Sequence, residues 1–461
     1  MMATLLLASV LCAAEATAAP VATVRVRFDG SLRAAPWGAQ RLARSLVAAG
    51  FRPELAELAE GDTAEGDAAE VVLGGGSALA SPGAHDERPE GSFHIVRTDA
   101  GSLHANAADG AGVMYAALEL AERLDTARLQ ARGEPLVWAA FVRSLPMPLA
   151  VEPRFDYRAL KFNLPWSAYR PGNATVQNYA TVRNLTFWES FLDMMAENRY
   201  NVITLWALHP WAYMVKPTNF PAAASFGDSF HWGGPPDNTD TQEDWKRFWT
   251  GLFKLAKDRA IDPYVIDWNI FQPVGYKKAY DSSAITDHDG SGGDGTHNPQ
   301  ADRYQREVIT QAINEYPDMA GIGVTLGERM ENLGESTSNL TEQVTWIDNV
   351  VLSALKNADR PVNLIYRAAL DNKAPTTVRQ SIEGFVTEIL NRGGKIKVWV
   401  QLKFNVGATD PTRPVSTLTP APGVWQWSHG HSTPILVHAH GGGTGDGYWT
   451  PPSNSYKMAW M

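Results

Sequence analysis

Apolar and polar residues alternate in short blocks along the first third of the chain. Val24, Val26 and Phe28 alternate with Arg25 and Arg27, the period of two of a half-buried strand. The pattern changes to a helical one over 38–49, and Val71-Val72-Leu73 follows as a strand closed by Gly74-Gly75-Gly76. Segments 93–97 and 102–107, parted by Asp99-Ala100-Gly101, read as a hairpin. Residues 110–124 then place Met114, Ala117, Leu118 and Ala121 on one helical face. The polar, Ala- and Glu-rich stretch 54–70 reads as a surface insertion. Gly74 to Gly76 lacks both the Lys-Ser/Thr of a phosphate loop and the spacing of a dinucleotide fingerprint, which leaves it a turn device.

After Pro153 the rhythm becomes strand, helix, strand, helix, the mark of parallel β/α units. The strands are predicted over 159–164, 202–207, 263–270, 321–326, 362–366 and 395–402. Thr186 and Glu189 suggest a capping box ahead of Trp188, Phe191, Leu192 and Met195, and Thr241 with Asp244 opens the next helix. Later helices are marked by Tyr304, Val308 and Ala312, by Ile347, Val351 and Ala354, and by Val378, Ile382, Phe385 and Ile389. Six such units favour a (β/α)8 TIM barrel over a doubly wound sheet. The expected class is α/β: a small α/β domain over 20–150, then a barrel over 155–461. Residues 457–461 form an apolar run with no covering helix after it, so the barrel is expected to be incomplete at its C-terminal end.

With 461 residues, 44% of them hydrophobic and 20% charged, the chain can bury a large core. A net charge of -10 argues against a general nucleic-acid binder or a partner of anionic membranes. Cys12, the single cysteine, sits in an apolar run before Ala16-Thr17-Ala18, so residues 1–19 are expected to be a signal peptide of a secreted or periplasmic protein. The mature chain would hold no cysteine, which excludes disulfides, a Cys-based zinc site and a Cys nucleophile. No other stretch approaches the roughly 18 apolar residues of a membrane span.

In a barrel of this kind the reacting groups stand at the C-terminal strand ends, and side chains alternate in and out. Lys161 and Asn163 share one parity, as do Asp267 and Asn269, Val324, Leu326 and Glu328, and Gln401, Lys403 and Asn405. Trp166 follows the first strand, and Trp206, His209 and Trp211 lie on or after the second. Trp425, Trp427 and His429 come near the end. Glu328, just past the fourth strand, is the sharpest candidate for a general acid, the group that glycoside hydrolysis needs in a partly desolvated pocket. A rim ion pair with Arg329 is its structural alternative. Asp267 and Asp371 are the available second carboxylates. Lys161, Arg329, Arg367 and Lys403 fall at or near strand ends and would clamp a carboxylated sugar such as a uronic acid.

Two further motifs suggest metals. His429-Gly430-His431 and His438-Ala439-His440 offer paired imidazoles in a glycine-rich setting. The run Asp287-His288-Asp289-Gly290-Ser291-Gly292 is similar to a calcium loop, but its twelfth position is Asn298 where a bidentate Glu is needed.

Residues 110–124 resemble the last helix of the small α/β domain that precedes the barrel in β-N-acetylhexosaminidases of glycoside hydrolase family 20 and in α-glucuronidases of families 67 and 115. Segments 160–166, 201–210 and 321–330 resemble the barrels of bacterial relatives of those enzymes. The resemblance implies an exo-acting glycoside hydrolase with its catalytic acid after the fourth strand, where Glu328 stands. The hexosaminidases carry an Asp directly before that acid, and this chain has Gly327. That departure and the strand-end cations point to a uronic-acid-containing or other acidic glycan. The expected partner is a carbohydrate substrate, with no cofactor and no metal. The competing readings are a non-catalytic carbohydrate-binding scaffold and a metal-dependent hydrolase using His429 to His440.

Overall fold

A computed structural model describes residues 22–58, 69–75, 89–98, 101–164, 179–227, 238–268, 272–284, 298–325, 345–368, 384, 387, 396–404 and 436–439, with backbone only at 75, 268, 325, 367–368, 400–404 and 436–439. Two sheets organise these residues. The first has six strands in the order β2-β1-β3-β5-β4-β6: β1 (Thr23–Phe28), β2 (Arg52–Glu57), β3 (Glu70–Gly75), β4 (Phe93–Arg97), β5 (Leu103–Ala107) and β6 (Leu149–Val151). β1, β2, β3 and β5 run parallel, while β4 is antiparallel to both β5 and β6. The predicted hairpin is thus β4–β5, with Arg97 opposite Leu103. Val24, Val26 and Phe28 join Val71, Leu73, Ile95 and Ala105 in a core covered by α1 (Ala35–Ala48) and α2 (Gly110–Gln130), whose Asp109 cap accepts from Gly112 N.

The stretch 54–70, expected as an insertion, begins instead with the edge strand β2. Both faces of β2 are largely solvated and it pairs with β1 alone, so no alternation betrays it.

The second sheet has seven strands in the order β13-β12-β11-β10-β9-β8-β7, every neighbouring pair parallel. They are β7 (Ala159–Asn163), β8 (Val202–Ala207), β9 (Asp262–Trp268), β10 (Gly321–Thr325), β11 (Asn363–Ala368), β12 (Val398–Phe404) and β13 (Leu436–Ala439). Consecutive strands pair in chain order with no reversal, which is the order of a barrel wall and not of a doubly wound sheet. β13 was not foreseen. The connecting helices are α3 (Trp138–Ser144) before the wall, then α4 (Leu185–Glu197), α5 (Gln242–Lys257), α6 (Val274–Ala279), α7 (Pro299–Glu315) and α8 (Ser353–Asn357), the last continuing a π-helical turn at Ile347–Leu352. The α5 capping box of Thr241 and Asp244 is present on both sides. α4 is capped two residues earlier than expected: Asn184, not Thr186, is its N-cap and accepts from Thr186 N at 2.9 Å. Of the predicted helix at 378–389 only 384 and 387 are described, both helical, while Val378, Ile382, Phe385 and Ile389, the calcium-like loop 287–292 and the apolar run 457–461 lie outside the described residues.

The first sheet is bound to the helices of the second through α1. Trp37 and Arg41, one turn apart on α1, meet Asp193 and Glu197, one turn apart on α4. Trp37 Nε1 donates to Asp193 Oδ1 at 3.2 Å and Arg41 Nε to Glu197 Oε1 at 2.6 Å. Asp193 also accepts from Arg259 Nε at 2.6 Å, and the Arg259 guanidinium lies 5.6 Å from the Trp37 ring. Arg259 is buried, so this pairing carries more than a solvent-exposed one would.

Candidate active site

Alternation along the strands divides the barrel wall into two faces. Val202, Trp206, Leu208, Tyr264, Ile266, Ile365 and Trp399 pack as one cluster, with Tyr157, Ala159 and Ala320 against it; this is the barrel interior. Phe162, Leu164, Ile203, Leu205, Val265, Ile322, Val324 and Leu364 belong to the larger core shared with the helices. On β10 the interior positions are Gly321 and Gly323. A Cβ on Gly321 would lie 2.3 Å from Tyr264 Cε1, and one on Gly323 would lie 2.1 Å from Ile266 Cδ1. The glycines therefore make the room that the large β9 side chains fill.

Lys161 and Asn163 stand on the interior face, as the sequence parity implied. Register sets Lys161 beside Thr204 and Asn163 beside Trp206. The Lys161 ammonium lies 4.3 Å from the centre of the Trp206 ring, a cation–π contact worth about 0.5–2 kcal/mol. Trp206 Nε1 donates to Thr204 Oγ1 at 2.9 Å. Trp206 itself is wholly buried, so it is the seat of Lys161 and not an open platform for a sugar ring. Asn163 Oδ1 is buried and accepts no hydrogen bond among the described residues. Below this layer Tyr157 and Tyr264 are hydrogen-bonded through their hydroxyls, and Asn363 Nδ2 donates to Tyr264 Oη at 3.1 Å. Burial pushes both phenols up, so they stay neutral and form a floor.

The later strands extend the interior parity upward. Arg367 pairs with Thr325 on one side and Gln401 on the other, while Lys403 pairs with His438. Gln401 and Lys403 lie two and four positions beyond the interior residue Trp399 on β12. Lys161, Arg367, Gln401 and Lys403 therefore occupy interior-parity positions, and the register adds His438. The sequence had named His438 only within a metal motif, because the strand that carries it is too short to show a pattern.

Asp267 departs from its expected place. It pairs with Ala207 and Val324, whose side chains belong to the helix-facing core, so its carboxylate lies on the opposite face from Lys161. Polar residues had set the parity of this strand in the sequence reading, whereas Tyr264 and Ile266 are its interior residues. The Asp267 carboxylate accepts from Trp211 Nε1 at 2.7 Å and is buried. Desolvation pushes its pKa up to about 7, against the lowering effects of the Trp211 hydrogen bond and of His209. His209 is likewise buried, and its ring stacks at 6.0 Å on Tyr213 of the 3₁₀ turn Pro210–Tyr213.

Glu328, Arg329, Asp371, Trp166, Asn269, Trp427 and the His429 to His431 pair lie outside the described residues. Val324, which the sequence pattern grouped with Glu328, faces the helices, and the strand ends at Thr325, so the candidacy of Glu328 rests on its position past the end of the fourth barrel strand. Among the described residues no group of His, Cys, Asp or Glu is placed to hold a metal ion, and no helix is long and apolar enough to cross a membrane.

No family model matches the chain, and no curated protein does. Solved structures do. A GH138 enzyme targeting pectin rhamnogalacturonan II superposes with a TM-score of 0.60 at 19% identity, over 83% of this chain and 38% of that one. The chain shares the barrel fold of that enzyme. A Streptomyces plicatus β-hexosaminidase bound to its product GlcNAc matches at 15% identity over 82% of this chain and 69% of that one, with a TM-score of 0.46. A β-N-acetylhexosaminidase from Bacteroides fragilis matches at 13% identity over 84% and 68%, also at 0.46. The chain thus spans well under half the length of the GH138 enzyme and about two thirds of the hexosaminidases.

Proposed function

We propose that this chain belongs to an enzyme that hydrolyses O-glycosyl bonds, acting from the end of an acidic, uronic-acid-containing glycan. The observation that carries the reading is Lys161, held 4.3 Å over Trp206 on the interior of the barrel. A cation seated there offers a charge-assisted hydrogen bond to a sugar carboxylate. Arg367 and Lys403, at interior-parity positions on β11 and β12, would add to the same clamp. The GH138 enzyme that shares this fold targets pectin rhamnogalacturonan II, which supports a polysaccharide substrate.

In this reading Glu328 is the general acid that protonates the departing glycosidic oxygen, and Asp371 is the remaining candidate for the second carboxylate, since Asp267 faces the helices. Gln401, Asn163 and His438 would hydrogen-bond sugar hydroxyls. Trp166, Asn269, Arg329 and Trp427 stay with the site by their positions in the chain, and His209 by the turn it opens. Export through residues 1–19 fits an enzyme whose polymeric substrate lies outside the cell, and the two sheets fit a small α/β domain to residue 150 ahead of a barrel from residue 155.

The test is turnover of aryl glycosides and aryl uronides by the full chain, with and without a chelator. Uronide hydrolysis untouched by the chelator is expected. Binding without turnover would make the protein a carbohydrate-binding scaffold, and activity abolished by the chelator would make it a metal-dependent hydrolase built on His429 to His440.

A further inference from the structure

We propose that Asp267 is a positioning residue, holding the turn after the second barrel strand in place through the Trp211 indole. The inference rests on the glycosidase reading only for its effect on catalysis. β8 ends at Ala207, and the chain then turns sharply through Leu208 and His209 into the 3₁₀ turn Pro210–Tyr213. This segment forms part of the rim at the C-terminal strand ends, where barrels of this kind bind substrate. Its anchors come from other elements. Trp211 Nε1 reaches across to Asp267 Oδ2 on the neighbouring strand β9 at 2.7 Å. The carbonyl of Tyr213 accepts from Trp249 Nε1 of α5 at 2.8 Å, and that of Met214 accepts from Tyr316 Oη at 2.7 Å.

Of these anchors, Asp267 alone is ionisable near neutrality. Ala207 and Val324 flank it on the sheet and offer no charge. His209 faces it from the turn and favours its ionised form. Tyr304 of α7 is near enough to feel its charge; its phenol is pushed up by burial and by Asp267, and stays neutral. Behind Tyr304 lies Tyr276, ring to ring at 4.9 Å, also held neutral by burial. Among the described residues, the groups that act on the carboxylate are thus one hydrogen-bond donor, Trp211, and one imidazole, His209. An ionised Asp267 accepts a strong charge-assisted bond from the indole, and a protonated one accepts a weaker bond. The grip on the turn should accordingly tighten as Asp267 loses its proton near pH 7.

The experiment compares wild type with Asp267→Asn, Asp267→Leu and Trp211→Phe in the full chain. One readout needs no activity: the ¹H–¹⁵N resonance of the Trp211 indole, assigned by its loss in Trp211→Phe. It should move with pH through a midpoint near neutrality in wild type and stay fixed in Asp267→Asn. The second readout is kcat and KM on an aryl uronide. Asp267→Leu should lose about ten- to a hundredfold in kcat/KM, the scale of a displaced positioning group, while Asp267→Asn, which can still accept from the indole, recovers most of it. A Trp211 resonance indifferent to pH, or a Leu variant as active as wild type, overturns the proposal. If wild type turns over no glycoside, the glycosidase reading fails, and the indole titration alone decides whether Asp267 holds the turn.

Discussion

Arg33 grips Asp318 through both carboxylate oxygens, Nη1 to Oδ1 at 2.6 Å and Nη2 to Oδ2 at 2.8 Å, while its Nε donates to Asp258 at 2.8 Å. Arg33 precedes α1; Asp258 ends α5 and Asp318 lies just before β10. One guanidinium thus joins the first sheet's helix to two successive connections at the foot of the barrel.

Arg33→Ala should lower the urea midpoint by an amount equivalent to about 0.2–1 kcal/mol per pair, since the groups are partly exposed, and less in high salt. Its pH signature is specific. The hydrogen bond from Arg33 holds the Asp318 carboxyl below the usual carboxylate range. A depressed folded pKa contributes stability above the unfolded value of about 3.9 and loses it as pH falls through the folded value. The wild type should therefore lose its advantage over Arg33→Ala in acid. A constant gap between the two proteins from neutrality to pH 2 would sink this account.

Asp267 predicts the opposite slope. Its folded pKa is pushed up to about 7, so between roughly pH 4 and 7 the folded state holds a proton that the unfolded state has released. The contribution to stability is full at low pH and is lost as pH rises through the folded value, at up to about 1.4 kcal/mol per pH unit. Asp267→Asn removes the titration while keeping an acceptor for Trp211. Its stability, followed by thermal melts from pH 4 to 8, should lack this decline and should exceed that of wild type at pH 8. Parallel curves for the two proteins would mean that Asp267 does not titrate in this range.

The barrel wall was legible because its strands are buried on both faces and read as apolar runs separated by amphipathic helices. Val202–Ala207 is buried along its whole length and was found to the residue. What the sequence could not give was which face each strand turns inward. On β7 the polar pair Lys161 and Asn163 marks the interior correctly, yet on β9 the polar Asp267 lies outward, where its Oδ2 meets the Trp211 indole 56 positions away in the chain. The docking of α1 on α4 was equally hidden: Trp37 and Asp193 are 156 positions apart, and nothing local in either helix signals the other.

Lys161→Met tests the clamp. Methionine keeps an unbranched apolar stem against Trp206 and removes only the charge. Losing a hydrogen bond to a charged group costs about 1.5–3 kcal/mol, so kcat/KM for an aryl uronide should fall roughly ten- to a hundredfold. A neutral aryl glycoside has no carboxylate to lose and should be hydrolysed about as before. Equal losses on both substrates would mean that Lys161 supports the barrel interior and does not read the sugar.

Glu328→Gln tests the general acid. The substitution keeps shape and hydrogen bonding but removes the proton donor. General acid–base catalysis typically contributes about 10²–10⁴ in rate, so uronides with poor leaving groups should lose turnover on that scale. A substrate whose leaving group departs as a stable phenolate needs little protonation and should be far less affected. The contrast separates chemistry from folding, because a Glu328 that merely paired with Arg329 at the rim would, when replaced, depress both substrates alike through stability. Matching losses on good and poor leaving groups would therefore remove Glu328 from the reaction and return the search for the acid to Asp371.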